Sequence, residues 1–99
     1  MRVIAKSTLV KFWQSGSFAD AERPMTEWYN FFLKATWETP QALKADIGTA
    51  SIIKGGRVVF NIAGNKYRIV VAIDYARQIA WIKFVGTHAQ YDKIDVETV

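Results

Sequence analysis

Hydrophobic residues change their period halfway along this chain. In the first half they recur at three and four residues. From Met25 the set Met25, Trp28, Tyr29, Phe32 and Ala35 marks one wide aromatic face of a helix. Pro24 fits the first turn of that helix, which places its start nearer Glu22 than Asp20. Upstream, Arg2-Val3-Ile4 reads as a short β start. Ser7 is placed to cap a helix running to about Gln14, with Leu9, Val10 and Trp13 on one side and Ser15-Gly16-Ser17 ending it. Thr39-Pro40 is an Ncap–N1 pair that opens a short helix, Pro40–Asp46, with Gly48 placed to end it.

In the second half the period becomes two. Three strands are predicted: Arg57–Ile62, Tyr67–Asp74 and Ile79–Val85. The turn Ala63–Lys66 offers Gly64 and Asn65 for positive φ, and the turn Tyr75–Gln78 follows the second strand. A short strand near Ser51–Ile53 precedes them, with Gly55-Gly56 turning. After Gly86, Thr87 can cap one helical turn through Asp92. Helices first and an antiparallel meander after them predict an α+β fold: N-terminal helices on one face of an antiparallel sheet, closed by a short C-terminal helical turn.

Strand parity then sorts the side chains. Four-residue loops pair Ile62 with Tyr67 and Asp74 with Ile79. An unbroken register sets Asn61 opposite Arg68, Val70 opposite Lys83 and Arg68 opposite Val85. Asn61, Arg68 and Lys83 then share one face, with Arg57 further along it. The other face carries Val58, Phe60, Ile62, Tyr67, Ile69, Val71, Ile73, Ala80, Ile82 and Phe84, an apolar set suited to the helices.

Composition narrows the class. At 99 residues, 51% hydrophobic and 22% charged, the chain is one globular domain and not a disordered segment. No run approaches a membrane span, and Lys6 and Lys11 interrupt any signal-peptide core. With no cysteine and one histidine, a disulfide scaffold or structural zinc site is excluded, and a reducing, cytoplasmic setting is expected. Charge is uneven. Met1–Ile47 holds six basic and five acidic residues, whereas Gly48–Tyr91 holds six basic residues and only Asp74 against them. That half should face an anion.

His88, Tyr91 and Asp92 fall at i, i+3 and i+4 of the last turn, beside the cationic face. A proton carrier, a phenol and a carboxylate next to Arg68 and Lys83 suit phosphodiester cleavage without metal or other cofactor. RNA is the favoured substrate, because its 2′-hydroxyl is an internal nucleophile. Each residue also has a plainer reading. His88 can be a cap or surface residue, Tyr91 a packing group and Asp92 a solvated helix end. Arg68 can belong to a cross-strand salt bridge, and Lys83 can be a snorkelling edge lysine.

Two blocks, Val59-Phe-Asn-Ile-Ala-Gly-Asn-Lys-Tyr-Arg-Ile-Val-Val71 and Lys83-Phe-Val-Gly-Thr-His-Ala-Gln-Tyr-Asp-Lys-Ile-Asp95, closely resemble HigB-type toxins of the RelE-like superfamily. Trp37-Glu-Thr-Pro-Gln-Ala-Leu-Lys44 also resembles that family's W-x-x-P-x-x-L-K segment. The resemblance implies a RelE-like fold and a type II toxin–antitoxin toxin. It implies a ribosome-dependent mRNA endonuclease neutralised by a helix-turn-helix antitoxin. It supports Arg68 as phosphate ligand, and His88, Tyr91 and Asp92 nearest the chemistry with Lys93 alongside. It supports Lys66 and Lys83 as RNA contacts, with Arg57 and Asn61 on the same RNA-binding face. Gln90 and Ala42 depart from the pattern, each standing where an acid is common. Two rival readings are a non-catalytic toxin acting on a protein such as gyrase, and an RNA-binding module that does not cut.

Overall fold

A computed structural model of the chain describes residues 1–99. Strand β1 (Arg2–Ile4) leads into helix α1 (Lys6–Trp13). A 3₁₀ turn at Ala19–Ala21 then enters α2 (Glu22–Lys34), and α3 (Pro40–Asp46) follows. Strands β2 (Ser51–Ile52), β3 (Arg57–Ile62), β4 (Tyr67–Asp74) and β5 (Ile79–Thr87) come next, and α4 (His88–Tyr91) is the last element. The α+β expectation holds, with α1–α3 falling between β1 and the other four strands of a five-stranded sheet in the order β1-β5-β4-β3-β2. The meander is antiparallel as read. The sheet as a whole is mixed, because β1 joins its edge parallel to β5 through Arg2↔Ile79 and Ile4↔Trp81. Helices α1–α3 and strands β2–β4 all lie between the two in the chain, ample length for the connection a parallel pair requires.

The helices are anchored by aromatic contacts. Phe32, fully buried on α2, stacks on Trp28 at 4.7 Å and meets Trp37 and Phe60 edge-on at 5.0 and 5.3 Å. One side chain thus ties α2, the loop before α3 and the sheet together, and truncating it would cost about 3–5 kcal/mol. Thr39 caps α3 as read, accepting from the Ala42 N–H at 3.1 Å. Ser7 does not cap α1. The chain is still extended at Ala5, which takes the Ncap position and puts Ser7 inside the helix.

The register of β3 and β4 is as expected: Ile62 faces Tyr67 and Asn61 faces Arg68. Between β4 and β5 it starts correctly at Asp74↔Ile79 and then slips. Val71 pairs with Ile82 but Val70 pairs with Phe84, so a β-bulge leaves Lys83 without a cross-strand partner. Beyond it Gly86, not Val85, faces Arg68, and Val85 packs on the core side. Phe84, expected inside, stands on the polar face. The bulge also lengthens β5 to Thr87.

The polar face is not open along its whole length. Tyr91 lies against Phe84, with ring centroids 6.4 Å apart. From there the chain runs to Val99, whose carbonyl accepts from Arg57 Nη2 at 2.5 Å. Ile94, Val96 and Val99 are half-buried, while Asp95 and Glu97 face solvent. Val59 and Val70 point to this face yet are 4% and 0% exposed, and both lie outside the main core cluster. The last seven residues therefore form a strap over that end of the sheet, with an apolar underside and a charged outer side.

Candidate active site

Arg68 projects from the end of the polar face that the strap leaves free. Its Nη1 donates to Asn61 Oδ1 across the strand pair and to Asn65 Oδ1 in the turn at 2.7 Å. Both acceptors are uncharged. The guanidinium is oriented but not neutralised, and it forms no salt bridge. Its carbon lies 5.4 Å from the centre of the Tyr91 ring, within cation–π range. An arginine held this way by neutral partners is ready for an anion.

The geometry that brings Tyr91 over Arg68 begins with Thr87. Its hydroxyl accepts from the Gln90 N–H at 3.1 Å, and Gln90 Oε1 accepts from the Thr87 N–H at 2.9 Å, a complete capping box. Gln90, the position noted for lacking an acid, thus fastens the turn. Gly86 permits this. A Cβ there would sit 2.6 Å from both Gln90 Oε1 and Phe84 Cζ. The His88 N–H donates to the Lys66 carbonyl at 3.2 Å, which joins α4 to the β3–β4 turn. On α4, His88 Nε2 lies 3.4 Å from Asp92 Oδ2. That is no hydrogen bond, but it is within ion-pair distance should the imidazole take up a proton.

Of the residues expected from sequence, the structure gathers Asn61, Arg68, His88, Tyr91 and Asp92. Arg57 lies four residues along β3 from Asn61, roughly 13 Å at strand rise. It is held by Val99 and Gly55 carbonyls under the strap, outside this cluster. Lys83 is exposed on the bulge and not in the pair with Val70 that placed it beside Arg68. Lys93 follows α4 and is exposed. Lys66 is adjacent but turned to the helical side, where it pairs with Asp20, the two side chains each more than half exposed.

Three supports went unread in the sequence. Asn65 looked like a turn former only, and positive φ falls on Ala63 and Gly64 instead. Gly86 looked like a strand end. Asp20, 46 residues from Lys66, left no local signal. Two surface hollows lie elsewhere, one at Ala19–Glu27 and one between α3 and Ile52. The site itself is an exposed shelf, a shape that suits a polymer.

Residues 21–94 match the HigB toxin family model, described as the RelE-like toxic component of a toxin–antitoxin system. Similar curated proteins include the mRNA interferase toxin HigB of Escherichia coli K12 and the mRNA interferase HigB of Escherichia coli O157:H7 and of Shigella flexneri. Each is 32% identical over 65 residues, covering 64% of this chain and 62% of the relative. The alignment thus spans less than two thirds of the length of those relatives.

Proposed function

The chain belongs to the HigB toxin family, RelE-like toxic components of toxin–antitoxin systems, and from that premise we propose that it cleaves mRNA on the ribosome. The observation that carries the reading is Arg68. It is a cation fixed by two neutral amides under Tyr91, on the turn that also holds the only imidazole. In this reading Arg68 binds the scissile phosphate and stabilises the extra charge of the pentacoordinate transition state. The His88 imidazole takes the 2′-hydroxyl proton as the 2′-oxygen attacks phosphorus. The bond to the 5′-oxygen breaks, leaving a 2′,3′-cyclic phosphate, and Tyr91 protonates the departing oxygen. Asp92 steadies the imidazolium that forms. Lys83 and Lys93 contribute to RNA binding around the centre, with Asn61 orienting Arg68, while the Lys66 side chain, expected on the RNA, is engaged by Asp20. Arg57 lies outside this route and serves the strap. No cofactor enters the scheme.

The partner of a toxic component is an antitoxin, and we assign it to the helix-turn-helix, HigA-like class. It would act by covering this shelf or by blocking ribosome entry. No helix is long and apolar enough to cross a membrane. The proposed setting is the cytoplasm, where ribosomes are met.

The deciding experiment is single-turnover cleavage on programmed ribosomes, with binding measured separately. His88→Gln keeps a hydrogen-bonding side chain but cannot carry the proton. It should lose roughly 10²–10⁴-fold in rate with ribosome binding nearly unchanged. A loss under tenfold would remove His88 from proton transfer. Native protein that binds RNA and never cuts it would replace the nuclease by a binding module. Growth arrest with intact mRNA would point to a protein target.

A further inference from the structure

Asp20 takes no part in the reaction drawn above, yet two supports of the site converge on its carboxylate. It sits on the 3₁₀ turn between α1 and α2. Tyr67 OH donates to its Oδ1 at 2.5 Å, and Lys66 Nζ pairs with its Oδ2. Lys66 and Tyr67 span the junction of the β3–β4 turn with β4. The same short stretch supplies the Lys66 carbonyl that receives the His88 N–H and the Asn65 oxygen that receives Arg68. The Tyr67 ring, almost fully buried, meets Phe12 and Phe18 edge-on at 5.6 and 6.2 Å, so the anchor is seated in the helical layer. Lys66 holds the Asp20 carboxyl below the usual carboxylate range, with the Tyr67 hydroxyl adding to the effect, so the anchor is charged at neutral pH.

We infer that Asp20 is a positioning residue for the RNA-cleaving site: through Lys66 and Tyr67 it fixes the turn that sets His88 and Arg68 relative to each other. The inference rests on the cleavage reading for its consequence, but not for its geometry. Without the carboxylate, the turn keeps its strand pairing and the Tyr67 ring contacts but loses the polar tie that fixes Lys66 and the Tyr67 hydroxyl to the helical layer. A small displacement then separates the proton carrier from the phosphate ligand, and misplacement by about 1 Å can cost on the order of 10²-fold in rate. Lys66 changes role in this picture. Its side chain faces the anchor, and its backbone faces the site.

The test uses Asp20→Ala, Asp20→Asn and Tyr67→Phe in the full chain. Two readouts are taken: single-turnover cleavage with separate ribosome binding, and amide hydrogen exchange at His88. Asp20→Ala should cut at least about tenfold more slowly at saturating ribosomes, with binding within about twofold of native. Its His88 amide should exchange faster while the core strands stay protected. Asp20→Asn, which still accepts from Tyr67, should fall between Asp20→Ala and native. Native cleavage with native His88 exchange in Asp20→Ala would overturn the inference. So would a slowed rate with His88 protection unchanged. If Asp20→Ala fails to fold, Asp20→Asn and Tyr67→Phe carry the same comparison. If native protein cuts no RNA, the cleavage reading fails, and His88 exchange alone decides whether Asp20 anchors the turn.

Discussion

Arg68 and Arg57 carry the same charge on the same face of one sheet, and their partners give them different work. Arg68 is held by two amide oxygens that leave its charge unspent. Arg57 donates to the Val99 and Gly55 carbonyls and keeps its Nε buried without a partner. Arg68→Ala should therefore lower cleavage by about 10²–10³-fold, the range for losing one transition-state donor. Its melting temperature should stay near native, because the side chain lies outside the core. Arg57→Ala should do the reverse. It releases the strap at a cost of about 1.5–3 kcal/mol for a charged hydrogen bond, and leaves cleavage within a few fold of native. Melting curves and single-turnover rates on the same preparations separate the two. Native stability with lost cleavage in Arg57→Ala would return that residue to the RNA path. Sequence parity placed both arginines on one face and could not tell them apart. The difference lies in the last residues of the chain folding back, which no local pattern announces.

The element that decides the site is the end of β5 with the single turn of α4. A four-residue helix has little stability of its own, so its cap and its seat on the strand must hold it. Gly86 provides the seat. In Gly86→Ala the new methyl would meet Gln90 Oε1 and Phe84 Cζ at 2.6 Å, and one of them must leave. Losing the capping box costs about 0.5–2 kcal/mol. The expected result is a modest fall in stability with a larger fall in cleavage, because the displaced turn carries His88, Tyr91 and Asp92. Gln90→Ala should reproduce the cleavage defect without the clash. Native cleavage in both would show that the turn is held some other way. The Thr87 cap was legible because Thr just ahead of a helical turn is a local signal, whereas the half of the capping box that Gln90 supplies was not read. The hairpin from Ile62 to Tyr67 was legible because its loop length sets its register. The bulge was not. Ile82-Lys83-Phe84-Val85 alternates acceptably in either register, and only the packing of Val85 inward and Phe84 outward selects the one observed. That single extra residue took Lys83 out of its pairing with Val70 and brought Gly86 opposite Arg68.

Across the whole molecule, acids and bases are sorted as well as unequal in number. Glu27, Asp20 and Asp74 pair with Arg23, Lys66 and Arg77, so three of the cations already have acidic partners. Ten of the thirteen have none, and of these Arg68, Lys83 and Lys93 lie on or beside the β5–α4 end of the sheet. These three cations, with no acid bound to any of them, are the ones placed to meet an anionic polymer at the shelf, and their position matters more for it than the net charge of +4. Binding of a single-stranded RNA oligonucleotide should weaken with salt, with a log–log slope of about −0.7 for each phosphate neutralised. The three unpaired cations at the shelf predict a slope of roughly −2 for native protein. Lys83→Ala should shift that slope by about 0.7 toward zero, while cleavage at saturating RNA falls far less than in Arg68→Ala. Arg57→Ala, whose cation is committed to the strap, should leave the slope as it is. Fluorescence anisotropy across a salt series measures all three proteins under one condition. An unchanged slope in Lys83→Ala would mean that the bulge carries its lysine off the RNA path. A changed slope in Arg57→Ala would mean that the strap lifts when RNA binds.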